Sequence, residues 1–218
     1  MKKNKGFTLV EVIVILVILA ILAAVLIPSL TTYIDKAREK SITANARGAY
    51  VAAQAVASEQ YGVNELYDWA IQTTDADTPT FTLTLVDPEI DTTDEDKVPS
   101  GLTSLVEDGV FAGKILSLAQ LKEETVDKTT GAYSYNEIDN VKEPKLLFVG
   151  VNDGQVGWFA YTEGETGSTQ QRWAIHEANG AWTVYKFAEK AAFDKALGDL
   201  IKDYNDTTEA SLAGATTT

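Results

Sequence analysis

Phe7 to Pro28 reads FTLVEVIVILVILAILAAVLIP, with a single charged residue, Glu11, in an otherwise apolar or weakly polar run. At about 1.5 Å rise per residue, a helix of this length crosses a hydrocarbon core of about 30 Å. Lys2, Lys3, Lys5 and Gly6 stand in front of it, and no second run of this kind follows Pro28. The positive-inside rule places the lysines in the cytoplasm. The sequence therefore predicts a chain that enters a membrane once, with its bulk on the far side.

That bulk is acidic. Of the net charge of −14, residues 1–60 contribute seven Lys/Arg against four Asp/Glu, and the rest eleven against twenty-eight. A domain so charged repels nucleic acid and anionic lipid, so no nucleic acid is expected on its general surface. The chain has no cysteine and one histidine, His176. Thiol chemistry, disulfides and cysteine-type zinc sites are excluded, and most histidine-based metal or triad chemistry with them. Four Trp, nine Tyr and seven Phe must supply the core.

Three readings compete for residues 1–28. A cleaved secretory signal requires an apolar core of about 7–15 residues followed by a small-x-small site. Here the run is longer, Leu26-Ile27-Pro28 follows it, and the small residue, Gly6, precedes it. A plain anchor fits the length but leaves Glu11 without a role. A carboxylate costs about 2.5–3.5 kcal/mol at mid-span and less near the interface, so it calls for a partner. Cleavage after Gly6 creates that partner. Phe7 then carries an α-ammonium one helical turn from Glu11 on the same face, and the charge can pair within the chain or across to a neighbour's Glu11.

The string KGFTLVE, followed by the apolar run and a proline, resembles the N-terminus of type IV pilins and the related pseudopilins. The resemblance implies cleavage between Gly6 and Phe7 by a prepilin peptidase, N-methylation of Phe7, and a registry role for Glu11 during filament assembly. It also implies that the segment before Pro28, about Ala20 to Ile27, unwinds when subunits pack. From the residues alone, Pro28 lacks an N–H, removes the donor for the Ala24 carbonyl, and bends or breaks the helix. Ala20 and Ala24 form a small-xxx-small pair that permits close helix approach.

Beyond Pro28 the pattern turns amphipathic. Leu30, Ile34, Ala37, Ile42, Ala46, Ala49, Tyr50, Ala53, Val56 and Ala57 recur at spacings of three and four. With Gly62 as C-cap, residues 7–61 form one bent helix, its second half laid on a sheet. Val63 to Ile71 reads as a short helix, 81–86 as a strand, and 87–99 as a solvated acidic loop. Helices are expected at 102–114, where Ser104 and Glu107 have capping-box spacing, and at 117–127. Strand-like runs follow at 145–151, 156–161, 171–176 and 181–186. Asn152-Asp153-Gly154 and Asn179-Gly180 mark two of the turns. These predict a four-stranded antiparallel meander, then an amphipathic helix at 187–204 shielding a sheet edge, and a flexible tail.

The expected fold class is thus α+β and pilin-like: a long N-terminal helix, its first half membrane-spanning, packed on an antiparallel sheet with additional short helices. The expected divisions are a leader 1–6, an assembly helix 7–28, its amphipathic continuation 29–61, a head 62–206 and a tail 207–218. Some pseudopilins bind calcium, but the carboxylates between 87 and 96 lack the fixed offsets of an EF-hand loop, and no metal or cofactor is expected. His176 reads as structural, and no nucleophile elbow, phosphate loop or metal triad is present. The absence of cysteine departs from many pilins of diderm bacteria and favours a monoderm source.

The resemblance points to a structural filament subunit and not an enzyme, engaged in adhesion, motility or DNA uptake. It begins as a single-pass precursor in the cytoplasmic membrane and ends in a surface pilus. Its partners are further copies of itself, the prepilin peptidase and the assembly platform. A minor pilin or secretion pseudopilin is one alternative, and a membrane-tethered binding domain that never polymerises is another.

Overall fold

The computed structural model describes residues 8–64, 68–73, 81–85, 110–139, 141–177 and 180–215. Helix α1 runs Leu9–Asn64. It is followed by β1 (Trp69–Thr73), β2 (Phe81–Leu85), α2 (Val110–Leu118), β3 (Lys122–Val126) and β4 (Tyr133–Glu137). Then come β5 (Lys145–Asn152), β6 (Gln155–Glu163), β7 (Arg172–His176), β8 (Trp182–Lys186), a 3-10 turn (Phe187–Glu189) and α3 (Lys190–Ala215). The main sheet is antiparallel in the order β2-β1-β5-β6-β7-β8, while β3 and β4 form a separate hairpin.

By contact density, residues 1–41 form one unit and 42–218 another. In the second unit, the period of two along each strand builds two cores. Trp69, Ile71, Val149, Val151, Phe159, Tyr161 and Ala174 face α1, meeting Ile42, Ala46, Ala49, Ala53, Val56 and Ala57. Ala70, Phe148, Trp158, Ala160, Trp173 and Ile175 face the opposite way and are covered by Phe193, Leu200 and Tyr204 of α3. The alanines on α1 let its backbone lie close to the sheet.

Polar anchors fix that docking. Gln54 donates to the Gly154 carbonyl (3.0 Å) and accepts from the Val156 N–H (2.9 Å), and the Tyr50 hydroxyl donates to the Val156 carbonyl (2.7 Å). The β5–β6 turn needs two left-handed residues, and Asp153 (φ 48°) and Gly154 (φ 70°) supply them. A side chain at Gly154 would also strike the Tyr61 ring at 2.5 Å.

The α+β class, the long helix on an antiparallel sheet and the four-stranded meander stand as the sequence predicts. Several details differ. Val63–Ile71 is not a helix. Instead α1 continues past Gly62 to Asn64, and Trp69-Ala70-Ile71 forms strand β1 between β2 and β5. All three residues are buried in succession because β1 is covered on both faces. The predicted helix at 117–127 is also wrong. Helix α2 ends at Leu118, Gln120 turns with φ 58°, and 122–126 pairs with a second strand that the sequence reading missed.

Leu30, Ile34 and Ala37, expected on the apolar face, lie exposed, and the buried row of α1 begins at Ile42. The C-terminal helix covers the second face of the sheet and does not merely shield an edge. It continues to Ala215, well into the stretch expected to be flexible. Along it, Thr207 donates to the Asp203 carbonyl, and buried Thr208 to that of Tyr204. Ser104, Glu107 and the acidic stretch at 87–99 lie outside the described residues.

Tyr204 separates packing from hydrogen bonding. Its ring meets Phe148 and Trp158 edge-on at 5.5 and 5.2 Å, while its buried hydroxyl has no hydrogen-bond partner among the described residues. Tyr204→Ala is expected to cost about 3–5 kcal/mol. Tyr204→Phe should be neutral or stabilising, because it removes a desolvated hydroxyl that gains nothing from burial. Urea unfolding of the detergent-solubilised chain, followed by tryptophan fluorescence, measures both.

Candidate functional site

At the start of α1 the structure places Glu11 in a capping box with Thr8. The Glu11 carboxylate accepts from the Thr8 N–H (2.9 Å) and from the Thr8 hydroxyl (2.7 Å), and the Glu11 N–H reaches back to the Thr8 hydroxyl (3.3 Å). Two otherwise orphaned helix-terminal donors are satisfied reciprocally. The carboxylate is folded back over the helix N-terminus, where the aligned peptide dipoles favour negative charge. Gly6 and Phe7 themselves lie outside the described residues.

Sequence reasoning assigned a role to Glu11 and overlooked Thr8. The signal was there: Thr8-x-x-Glu11 has the same capping-box spacing that was read at Ser104 and Glu107.

The helix beyond this box is apolar on every side. From Leu9 (75% exposed) to Val25 (72%) its Leu, Ile and Val side chains are exposed. Among the described residues it is the one helix long and apolar enough to cross a membrane. A surface of this extent in contact with water is unfavourable at about 25 cal/mol per Å², so a bilayer or other apolar helices must cover it.

Pro28 lies inside α1 and does not end it. Of the bend or break read from the sequence, the break does not occur: the helix continues through the proline. Hydroxyls supplement the local bonding: Ser29 donates to the Leu26 carbonyl (2.9 Å), and Thr31 and Thr32 donate to that of Pro28 (2.9 and 3.1 Å). The Ala24 carbonyl still faces a residue without an N–H.

In the head, His176 packs against Tyr50 and Trp182, with ring centroids at 4.6 and 4.9 Å. Its Nδ1 has no hydrogen-bond partner among the described residues. Burial is the main cause holding its pKa below the ordinary 6.5, and nearby Arg47 adds to it, opposed by a hydrogen bond to Gly157. The surrounding aromatic contacts make it a packing residue. The turn at 163–168 is held by Glu143, which accepts from the N–H and hydroxyl of Thr166 (3.2 and 3.0 Å). In the cleft beside α3, Lys190 is paired with Asp194 and Lys145 with Thr166 and Glu143, an arrangement that fixes the loop to the sheet.

Residues 1–27 match the family described as the prokaryotic N-terminal methylation motif, the class III signal of type IV pilins and pseudopilins. No curated protein and no solved structure matches the chain. The motif supports a pilin- or pseudopilin-like precursor, implies processing by prepilin peptidase, and points to a structural protein. The long apolar helix and the motif together fit membrane anchoring. The α+β layout, a long helix on an antiparallel sheet, is pilin-like.

Two measurements check this geometry. Thr8→Ala removes the hydroxyl bonds of the box, leaves the backbone N–H of residue 8 on Glu11, and should weaken the first turn by about 1 kcal/mol. That appears as roughly fivefold faster amide exchange at residues 9–12 in detergent micelles. Thr8→Ser should stay at the wild-type rate.

For His176 the folded pKa lies below the unfolded one, so the unfolded chain binds the proton more readily. Its contribution to stability is present at neutral pH and lost as pH falls through 6.5. Between about pH 7 and pH 5, His176→Gln should flatten the decline in melting temperature seen for the wild type.

Proposed function

We propose that this chain is the precursor of a type IV pilus filament subunit. Prepilin peptidase removes residues 1–6 and the new N-terminus, Phe7, is methylated. The protein waits in the cytoplasmic membrane as a single-pass precursor, with residues 7–28 in the bilayer and 62–206 outside. The assembly platform then draws it into a surface filament that serves adhesion, motility or DNA uptake. The observation that carries this reading is an apolar helix exposed on all sides, beginning with one capped carboxylate directly after a Lys-Gly-Phe processing sequence.

The capping box supports a definite role for Glu11. In the precursor, Thr8 satisfies the carboxylate and lowers the cost of carrying it into the membrane. In the filament, the ammonium of a neighbour's Phe7 offers a stronger, charge-assisted bond in the same low-dielectric surroundings. The correct axial register is the one that brings the two together; a subunit displaced by one turn leaves both charges unpaired. At Pro28 the missing hydrogen bond makes the preceding turn the cheapest place in α1 to adjust as helices pack.

Mass spectrometry of filaments sheared from cells tests the reading. An abundant peptide beginning at methylated Phe7 is expected. A processed but scarce peptide would mark a minor pilin or pseudopilin, and chains retaining Met1 to Gly6 only in membranes would mark a tethered domain. Glu11→Ala or Glu11→Val is expected to leave a membrane-inserted protein while sheared filament falls at least tenfold, the equivalent of about 1.4 kcal/mol or more per subunit added. Normal filament yield from either variant would end the registry argument.

A further inference from the structure

The hairpin β3–β4 is the least supported part of the described head. It pairs with no other strand, and its main support is the Tyr135 ring, which closes over Gly113 of α2. A two-stranded ribbon is marginal by itself in water. Yet its far end carries a cross-strand apolar pair, Val126 and Tyr133, that is 48% and 51% exposed. Around that pair the hairpin is acidic: Glu123, Glu124, Asp127 and Glu137 outnumber Lys122 and Lys128, and all four carboxylates are exposed.

The outward stripe of α1 has the complementary pattern. Lys36, Lys40, Ala44, Arg47 and Val51 follow one another at spacings of four, four, three and four, and all are exposed. Val51 is 66% exposed, on a helix whose opposite face is fully buried. The stripe is therefore basic at one end and apolar at the other, on a chain whose net charge is −14. The spacing agrees as well. Glu124 to Val126 spans about 7 Å along its strand, and Arg47 to Val51 spans about 6 Å along its helix.

We propose that the β3–β4 hairpin of one subunit docks on the outward stripe of α1 of a second copy. Glu124, which shares a strand face with Val126, lies toward Arg47, and Val126 and Tyr133 cover Val51. The proposal rests on the filament reading and adds to it a lateral contact between heads. Opposite charges steer and orient the contact while the apolar pair is removed from water. Each exposed charge pair is modest by itself, and the regular repetition of a filament multiplies it.

The chain has no cysteine, so introduced ones report without background. Filaments of the double variant Val51→Cys/Val126→Cys, mildly oxidised and run without reductant, should give a ladder of dimers and higher multimers. Either single variant should give no ladder. In parallel, Glu124→Lys should lower sheared filament about threefold or more, and adding Arg47→Glu should restore it to within about twofold.

Wild-type filament yield without a ladder overturns the docking and leaves the filament reading standing. So does charge reversal without effect, or loss that the compensating change does not rescue. If the cysteine pair blocks assembly, the charge-reversal rescue decides alone. If the unaltered chain gives no filaments at all, the filament reading falls and the docking with it.

Discussion

Val149, Val151, Phe159 and Tyr161 leave β5 and β6 on one side, Phe148, Trp158 and Ala160 on the other, and all seven are buried. Strands with two apolar faces must be covered twice, and the remaining elements of the head answer to that requirement. Helix α1 takes one face with a row of alanines and short aliphatics, close enough for Gln54 to bracket the hairpin backbone. Helix α3 takes the other with Phe193, Leu200 and Tyr204, and Asp203 beside them accepts the Trp158 indole N–H at 2.7 Å. With no disulfide to constrain it, the head depends on these two aromatic-rich layers.

The same helix answers two different solvents. From Leu9 to Ile27 it is apolar all round, the composition of a segment surrounded by hydrocarbon or other helices. From Ile42 onward it is apolar along one face only. The change takes place through Leu30, Ile34 and Ala37, which keep the helical spacing yet lie exposed. Pro28 and the hydroxyls of Ser29, Thr31 and Thr32 stand where it begins.

What the sequence disclosed follows from how strongly each signal was written. The spacing Ile42-Ala46-Ala49-Ala53 and the Asp153-Gly154 turn are dictated by local chemistry, and the structure places them as read, while the apolar run is helical from Leu9 with Glu11 capping Thr8. Strand β1 was hidden because Trp69, Ala70 and Ile71 continue a helical spacing from Val63, while burial on both faces erases the alternation that marks a strand. Strands β3 and β4 were hidden for the opposite reason. KEETV and YSYNE bury almost nothing, and Lys-Glu-Glu reads as helix-forming until the pairing partner is known. At the candidate site, the carboxylate was legible from its cost in the membrane, while Thr8 passed as one more weakly polar residue.

Helix α3 carries three surface ion pairs, Lys190–Asp194, Lys195–Asp199 and Lys202–Asp206, each with the lysine nearer the N-terminus. That order opposes the helix dipole and gives the less favourable version of the pair. Gly198, Thr207, Thr208 and the aspartates are also weak helix formers. Freed from the sheet, this segment would have little reason to be helical, since isolated helices are marginal in water. Its order is borrowed from strands that must already be in place, so it adds to the head as a templated last step. In a chain emerging N-terminus first, the latest residues made are also the latest to fold, and until they do, the aromatic face of Phe148, Trp158 and Trp173 stands open.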